Sequence, residues 1–288
     1  MNALVTPEIG KTVVAKGIST NYLEAGSGAP VVLVHGSGPG VTAYANWRLI
    51  LPELAGRFHC YAPDMVGFGF TERPEGFRYT VQNWVDQLSG FLDALGLDTV
   101  SFVGNSFGGA VALRLAATQP ERVERLVLMG SVGVPFPITE ALDEVWGYQP
   151  SLDAMRRMLD HFAYSRDLVT DELAKVRYEA SIRPGFQESF AAMFPAPRQR
   201  WVDALSTPDE QIATVAQPTL IVHGRDDKVI PLATSLRLHE LIDDSELHVF
   251  GRCGHWTQIE RSGPFAALVT EFLSRGSNWG TSALGEGE

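Results

Sequence analysis

The sequence predicts an α/β fold, in which a mostly parallel sheet is flanked by helices and a helical segment is inserted between core strands. Short β-branched runs alternate with longer amphipathic runs up to about residue 133, helical patterns alone fill 134–214, and the alternation resumes over 215–275. Strands that alternate with helices are typical of parallel sheets. We therefore predict two core segments, 1–133 and 215–275, a helical cap over 134–214, and a disordered tail over 276–288.

The first core segment contains both kinds of run in turn. "VVLVHG" (31–36) is typical of a buried strand, and "YANWRLILPELAG" (44–56) has the spacing of an amphipathic helix. "RFHCYAPD" predicts a strand that Pro63 ends, and "VQNWVDQLSGFLDALG" (81–96) predicts a helix that ends at a glycine. The next strand, helix and strand are expected in "TVSFVGN", "FGGAVALRLAATQP" and "ERLVLMGS".

The cap contains helical patterns such as "SLDAMRRMLDHFAY" and "VTDELAKVRYEASI". Strands and helices then alternate again in "QPTLIVHGRDD", "PLATSLRLHELI", "SELHVFGRCGH" and "FAALVTEFLSRG". A helical insert between two parts of a parallel sheet predicts a cover over the carboxyl ends of the strands. Open α/β sheets bind their ligands at those ends.

Composition and charge narrow the possible functions. The chain has 288 residues, 45% of them hydrophobic, which is enough for a large core. Its net charge of −11 argues against a nucleic-acid partner but leaves room for a small anionic ligand. No stretch approaches the ~20 apolar residues of a membrane span, and we expect no secretory signal. Two cysteines, Cys60 and Cys253, cannot form a disulfide framework, which favours the cytoplasm.

A serine between glycines follows one of the predicted strands. Gly104-Asn105-Ser106-Phe107-Gly108 matches G-x-S-x-G, and a predicted helix begins directly after it. In this context the glycines permit a sharp turn that raises the serine hydroxyl above the sheet as a nucleophile. The alternative is an ordinary strand-to-helix turn in which serine caps the helix.

A serine nucleophile needs a base and an acid. Among seven histidines, His255 alone lies beyond the last predicted strand, in the loop "GRCGHWTQ". The acid is expected between the serine and the histidine in chain order, and the strand end "HGRDDKVIP" offers Asp226 and Asp227. The residues alone do not decide between these two aspartates.

The loop "HGSGPG" (35–40) is expected to supply one N–H group of an oxyanion hole, and Phe107 the other. A rival interpretation of this loop is a dinucleotide-binding turn, with Asp64 at the end of the next strand. That fingerprint fails, because Val41 occupies the position of the third glycine and Pro39 interrupts the turn. No spacing of metal ligands occurs, and we expect no cofactor and no metal.

These motifs resemble those of the meta-cleavage-product hydrolases, which are C–C-bond hydrolases of the α/β-hydrolase fold. The similarity runs from about residue 8 to 274 and includes "HGSGPG", "ANWR", "APDMVGFGFT", "VGNSFGG", "VWGYQPS", "ELAKVRYEASIRPGFQESF", "MFPAPRQRW" and "HVFGRCGHWTQIE". The cap motifs are the most specific, and "LMGSVGVPFPIT" with "VWGYQPS" is most similar to members acting on 2-hydroxymuconate semialdehyde and its alkyl relatives.

The resemblance implies roles for individual residues. It implies a triad of Ser106, Asp227 and His255, and an oxyanion hole from Ser37 or Gly38 with Phe107. It implies that the dienoate end of the substrate contacts Asn46, Asn105, Arg183 and Trp256. A bidentate guanidinium suits a carboxylate, so Arg183 is expected to orient the substrate. The far end of the substrate is expected to contact Val132, Leu142, Trp146, Phe186 and Val229.

The implied substrate is a small anionic 2-hydroxy-6-oxo-2,4-dienoate, with hydrogen or a short alkyl group at carbon 6. Its products would be 2-hydroxypenta-2,4-dienoate and a small carboxylic acid. The alternatives are an esterase or thioesterase of the same fold and a binding protein without catalysis, although no triad member is missing. The resemblance also implies a homodimer or a higher homo-oligomer.

Overall fold

A computed structural model describes residues 6–275. An eight-stranded sheet lies at its centre, with the strands in the spatial order β1-β2-β4-β3-β5-β6-β7-β8. In chain order the strands are β1 (Lys11–Ala15), β2 (Ile18–Ala25), β3 (Ala29–Val34), β4 (Phe58–Pro63), β5 (Val100–Asn105), β6 (Val123–Met129), β7 (Thr219–Gly224) and β8 (Ser245–Phe250).

Thirteen α-helices lie within the described part of the chain. They are α1 (Ala43–Trp47), α2 (Leu51–Leu54), α3 (Val81–Leu95), α4 (Phe107–Thr118), α5 (Glu140–Trp146), α6 (Leu152–Phe162), α7 (Asp171–Ser181), α8 (Phe186–Met193), α9 (Gln199–Leu205), α10 (Asp209–Ile212), α11 (Leu232–Leu241), α12 (Thr257–Glu260) and α13 (Ser262–Ser274). No helix of residues 6–275 combines the length and the apolar character needed to cross a lipid bilayer.

The sheet is parallel from β4 through β8, as the alternation of strands and helices predicted. The antiparallel hairpin of β1 and β2 was not predicted. Its turn uses Lys16 and Gly17, both at positive φ, which suits a two-residue hairpin connection. Because β1 and β2 are partly exposed, their sequences lack the continuous apolar run of the central strands.

Both faces of the sheet are buried. Along β3, Val32 and Val34 belong to one hydrophobic core, whereas Val31 and Leu33 belong to a second core on the opposite face. Helices α3 and α4 pack in the first core, and α1 and α13 pack in the second. This alternation is the physical reason why the central strands read as uninterrupted apolar runs.

One predicted element is divided. The pattern over 44–56 predicts a single helix, but the chain forms α1 and α2, with a turn between them. Pro52 lies in the first turn of α2, where its missing N–H costs nothing, whereas a continuous helix would need that donor. By contrast, α3 ends as predicted, at Gly96 with φ of 66°.

Between β6 and β7 the described chain forms helices and no strand. The first hydrophobic core continues from the sheet into this insert, since it contains both Phe107 of α4 and Phe194 at the end of α8. The bounds 134–214 of the cap stay a prediction, and the predicted tail lies outside the described residues.

Candidate active site

The candidate site forms where neighbouring parallel strands end. Ser106 follows β5, Asp227 lies in the loop after β7, and His255 lies in the loop after β8. Strands β5, β6, β7 and β8 are adjacent in that order, so these loops emerge at the same edge of the sheet. The fold therefore places all three residues together, although 149 positions separate the first from the last in the sequence.

Ser106 occupies a sharp turn between β5 and α4. Its φ of 53° and ψ of −112° are unfavourable for a residue with a side chain, and such strain is typical of a nucleophile elbow. The turn depends on close backbone contacts: a Cβ on Gly108 would lie 2.2 Å from the Val34 carbonyl oxygen, and one on Gly104 would lie 2.6 Å from Gly109 Cα. Only glycine fits at these two positions.

His255 and Asp227 form a buried pair, with 2.7 Å between His255 Nδ1 and Asp227 Oδ2. The other oxygen of Asp227 accepts hydrogen bonds from the backbone N–H groups of Val229 at 2.7 Å and Ile230 at 3.0 Å. His223 Nε2 lies 3.4 Å from Asp227 Oδ2. Burial raises the pKa of Asp227, but its contacts with His255 and His223 outweigh burial and hold that pKa well below its ordinary value.

The neighbouring aspartate is oriented differently. The Asp226 side chain is 30% exposed and lies 3.4 Å from the guanidinium of Arg225, whereas the Asp227 side chain is 1% exposed. Of the two acids that the sequence left open, only Asp227 contacts the histidine.

Residues at the end of β6 connect the serine to this pair. The Ser106 N–H donates to the Met129 carbonyl at 2.9 Å. The next residue, Gly130, lies against both partners, because a Cβ there would lie 3.4 Å from Asp227 Oδ2 and from the His255 imidazole. Ser106 and His255 are each 4% exposed. The three residues therefore flank one strand end, and their roles as a serine–histidine–aspartate triad stay a prediction.

The residues proposed for the oxyanion hole lie beside Ser106. Phe107 is the first residue of α4, where a helix leaves its N–H groups without intrahelical acceptors. Ser37 and Gly38 line the cavity described below, and the Ser37 hydroxyl accepts a hydrogen bond from Trp146 Nε1 at 3.0 Å. The Phe107 N–H directly follows Ser106 in the chain, and an oxyanion hole that it forms with Ser37 or Gly38 stays a prediction.

A cavity of about 120 Å³ lies between the strand ends and the insert. Its lining combines the loop after β3 and helix α1, the ends of β5 and β8, and the insert helices α6 and α7. The lining residues are Gly36, Ser37, Gly38, Val41, Ala45, Asn46, Arg48, Asn105, Met158, Phe162, Leu168, Leu173, Arg177, His255, Trp256, Gln258 and Ile259.

Two asparagines form a polar pair in this lining. Asn105 Nδ2 donates to Asn46 Oδ1 at 2.8 Å, and the same oxygen accepts from the Gly36 N–H at 3.1 Å. Asn46 Nδ2 and Asn105 Oδ1 are buried and have no hydrogen-bond partner among residues 6–275. Buried polar groups without partners are costly, so this pair presents one donor and one acceptor to a ligand. Trp256 also lines the cavity and stacks on Phe162, with 5.1 Å between ring centroids.

Arg177 on α7 is the cationic group that the insert contributes to the cavity. Its guanidinium donates to the carbonyls of Pro39 at 3.2 Å and Gly40 at 3.4 Å, while its Nε is buried without a partner. Burial, and then repulsion from Arg48, lowers the pKa of Arg177 to about 10, so the group stays charged at neutral pH.

Sequence reasoning missed Arg177, although a signal was present. It lies three residues after the buried Ala174 and four before the buried Ser181, and residues at these spacings share one face of a helix. An arginine within the buried stripe of a cap helix indicates a functional charge more strongly than an arginine in a turn.

Arg183 does not line the cavity, and its expected contact with the substrate stays a prediction. It lies in the turn after α7, and its guanidinium pairs with the Glu8 carboxylate at 2.7 Å. It also lies over the rings of Phe70 and Phe186, at 5.5 and 5.7 Å. Because Glu8 already compensates its charge, Arg183 holds the insert to the N-terminal segment instead.

The residues expected at the far end of the substrate do not line this cavity; they are Val132, Leu142, Trp146, Phe186 and Val229. Three of them form hydrogen bonds with other predicted site residues. The Val132 N–H donates to the Ser106 carbonyl at 3.3 Å, Val229 bonds to Asp227, and Trp146 bonds to Ser37. Phe186 instead packs against Arg73 and Phe70. Contacts of these five with a substrate stay predictions.

Asp64, which suggested a nucleotide-binding turn, has a structural role. Its carboxylate accepts hydrogen bonds from the N–H groups of Ala43 at 2.6 Å and Phe70 at 2.8 Å, and from Asn21 Nδ2 at 2.8 Å. A carboxylate engaged by three donors is not available to a ribose.

Comparison with known proteins agrees with this geometry. The family model of the alpha/beta hydrolase fold matches residues 29–262. The chain is 63% identical over 270 residues to 2-hydroxy-6-oxo-2,4-heptadienoate hydrolase of Pseudomonas putida strain F1, covering 94% of this chain and 98% of the relative. It is 60% identical over 269 residues to 2-hydroxymuconate semialdehyde hydrolase of Pseudomonas sp. strain CF600, covering 93% and 95%.

Among solved structures, the meta-cleavage product hydrolase of Pseudomonas fluorescens IP01, in complex with acetates, superposes with a TM-score of 0.92. The two chains are 59% identical, and the match covers 93% of this chain and 98% of the other. Fold and sequence identity over almost the whole length therefore lead to one conclusion: this chain belongs to the α/β-hydrolase family and, within it, to the meta-cleavage product hydrolases.

Proposed function

We propose that this protein hydrolyses the C5–C6 bond of 2-hydroxy-6-oxo-2,4-dienoates, such as 2-hydroxymuconate semialdehyde or its 6-methyl analogue. The observation that carries the proposal is a cavity lined by both His255, which pairs with Asp227, and Arg177, which forms no ion pair among residues 6–275. An esterase that acts on neutral esters needs only the triad. An enzyme whose substrate carries a carboxylate also needs a cation at a defined distance from the triad. The names of the two relatives described above support the same substrate class.

The cavity suggests how such a substrate is oriented. Arg177 binds the carboxylate, because its free Nε and its backbone-anchored nitrogens form a fixed, planar donor set. Asn46 Nδ2 and Asn105 Oδ1 contact the adjacent enol or keto oxygen. The carbonyl at carbon 6 then lies toward Ser106, Phe107 and the loop after β3.

The chemistry follows from the leaving group. Cleavage of a C–C bond releases a carbanion, which must be delocalised before the bond breaks. The 2-hydroxy proton is transferred to carbon 5, with His255 as the proton carrier, and the dienol becomes a ketone. An oxygen nucleophile activated by Ser106 and His255 then adds to carbon 6, where the N–H groups of the oxyanion hole stabilise the negative charge.

The C5–C6 bond then breaks, and its electron pair passes into a dienolate that extends to the oxygen on carbon 2. One water molecule is consumed overall. The products are 2-hydroxypenta-2,4-dienoate and the carboxylic acid derived from carbon 6, which is formate from the semialdehyde and acetate from the methyl ketone.

A bulky residue that bonds to the cavity lining favours a small group at carbon 6. Trp146 and Phe194 stack at 4.3 Å between ring centroids, with 8° between their planes, and Trp146 is anchored to Ser37. Two bulky rings held in this way leave less room than flexible side chains would, so hydrogen or methyl fits better than phenyl.

We also propose that the protein acts in the cytoplasm, where its two free cysteines stay reduced, and as a homo-oligomer.

The test is loss of the dienolate absorbance when purified protein is mixed with the 6-hydrogen, 6-methyl and 6-phenyl dienoates. Parallel reactions contain p-nitrophenyl acetate, and chromatography identifies the acid that is released. We expect fast turnover of the first two dienoates and slow turnover of the third. Ester hydrolysis with all three dienoates left intact would establish an esterase or thioesterase instead.

A further inference from the structure

We infer that Arg48 is a second substrate-recruiting cation, which attracts the anionic substrate to the cavity before Arg177 binds its carboxylate. This inference rests on the proposed function. Arg48 ends helix α1, lines the same cavity as Arg177, and is partly exposed. It therefore lies where a carboxylate from solvent would be met first.

The partners of Arg48 leave its charge uncompensated. Its guanidinium donates to the backbone carbonyl of Ala45 at 2.6 Å, which holds the side chain in place without neutralising it. Among the ion pairs of residues 6–275, none includes Arg48 or Arg177. Arg183, by comparison, has its charge matched by Glu8.

The cavity lining contains two arginines and no aspartate or glutamate. Two like charges that share a partly desolvated cavity repel each other, and the lowered pKa of Arg177 is partly due to Arg48. The repulsion between Arg48 and Arg177 costs free energy in the empty protein, and an anion that enters the cavity removes this cost. A small carboxylate is the anion that fits.

The net charge of the protein explains why a recruiting cation is needed. At a net charge of −11 the protein repels an anionic substrate at long range. Arg177 is held within the lining by Pro39 and Gly40, and its Nε is shielded from solvent. A partly exposed cation beside it reverses the local potential at the opening, which raises the local concentration of the anion and its rate of association.

The test compares Arg48→Gln with Arg57→Gln, which makes the same charge change at an exposed arginine beside α13, away from the cavity. We expect Arg48→Gln to lower kcat/KM for the dienoate about tenfold, mainly through KM, whereas Arg57→Gln stays within about twofold of the wild type. Raising the salt concentration should reduce kcat/KM of the wild type more than that of Arg48→Gln. Arg48→Lys should recover most of the loss.

A second readout does not depend on C–C hydrolysis. Sorbate, a dienoate without the reactive carbonyl, is used as a competitive inhibitor of p-nitrophenyl acetate hydrolysis. Its inhibition constant should rise about tenfold in Arg48→Gln, while the KM for the neutral ester changes less. If Arg48→Gln matches Arg57→Gln in both assays, or weakens ester and dienoate equally, the recruiting role is overturned. Wild-type protein that binds sorbate through Arg48 but cleaves no dienoate would overturn the proposed function alone.

Discussion

The two sides of the cavity are built in different ways. On the core side, Ser106, Asp227 and His255 occupy loops at the ends of adjacent parallel strands, and backbone hydrogen bonds hold them. On the cap side, Arg177 extends from a helix whose neighbours in the lining, such as Leu173 and Met158, are apolar. Strand order determines the core side, whereas the packing of one helix face determines the cap side.

This difference explains which of the sequence-predicted site residues the structure brings together. A residue at the carboxyl end of a parallel strand faces the site whatever its neighbours are, because the sheet directs it there. A residue on a cap helix faces the site only if that helix is rotated appropriately, and a shift of two residues changes its direction by about 200°. The following predictions test this comparison, from the largest expected effect to the smallest.

Replacing the nucleophile should have the largest effect. We expect Ser106→Ala to reduce kcat for the dienoate by roughly 10⁵-fold or more, because the oxyanion hole and binding alone retain only a small part of the rate enhancement. Steady-state kinetics measures the loss, and binding of sorbate to the variant serves as the control for an intact cavity. Retention of more than a tenth of the activity would mean that the chemistry lies elsewhere.

The two adjacent aspartates provide a matched pair on the core side. Asp227→Asn removes the acceptor that holds His255 Nδ1–H, and we expect kcat to fall by about 10³ to 10⁴-fold. Asp226→Asn alters a side chain on the surface and should change kcat by less than about threefold. Similar losses in both variants would contradict the assignment of Asp227 as the acid.

The two arginines provide the matched pair on the cap side. Arg177→Gln should lower kcat/KM for the dienoate about 100-fold, because an uncompensated guanidinium that binds the carboxylate is lost. Arg183→Gln removes a partly exposed ion pair with Glu8 and should lower the stability to unfolding by no more than about 1 kcal/mol. Kinetics and urea unfolding of both variants separate the two roles. The opposite order of effects would restore Arg183 as the substrate contact.

The smallest effect concerns stability on the core side. His35 connects the loop after β3 to the end of β4: its Nε2 accepts from the Met65 N–H at 2.9 Å, so its Nδ1–H donates to the Gly36 carbonyl at 2.9 Å. Burial lowers the pKa of His35 to about 4, whereas an unfolded histidine has a pKa near 6.5. Its contribution to stability is therefore complete above about pH 6.5 and is lost as the pH falls toward 4.

Between pH 7.5 and pH 5 this linkage should remove about 2 kcal/mol of the free energy of unfolding. Urea unfolding at the two pH values measures it. In His35→Gln, which retains one donor and one acceptor but does not titrate, the difference between the two pH values should be smaller. An equal difference in both proteins would show that other groups cause the acid sensitivity.

Much of this site could be predicted from the sequence for a local reason. The G-x-S-x-G turn combines Gly104 and Gly108, which the close backbone contacts require, with a serine directly after an apolar strand. Asp227 follows the apolar strand β7, and His255 follows β8, whose sequence SELHVF is mixed. The β1–β2 hairpin was missed because its strands are only half buried, and the break between α1 and α2 depends on the packing of one short segment around Pro52.

The sequence by itself determined the class of the fold and the family, and it limited the predicted triad to Ser106, His255 and one of two adjacent aspartates, because each depends on local patterns or on their order along the chain. Only the tertiary structure decided which acid contacts His255 and which arginine enters the cavity. Asp226 and Asp227 are adjacent, and Arg177 and Arg183 lie six residues apart in the same region of the cap. Their roles differ because the direction of each side chain depends on how its loop or helix packs. That packing is determined by residues elsewhere in the chain as well as by the residues at these positions.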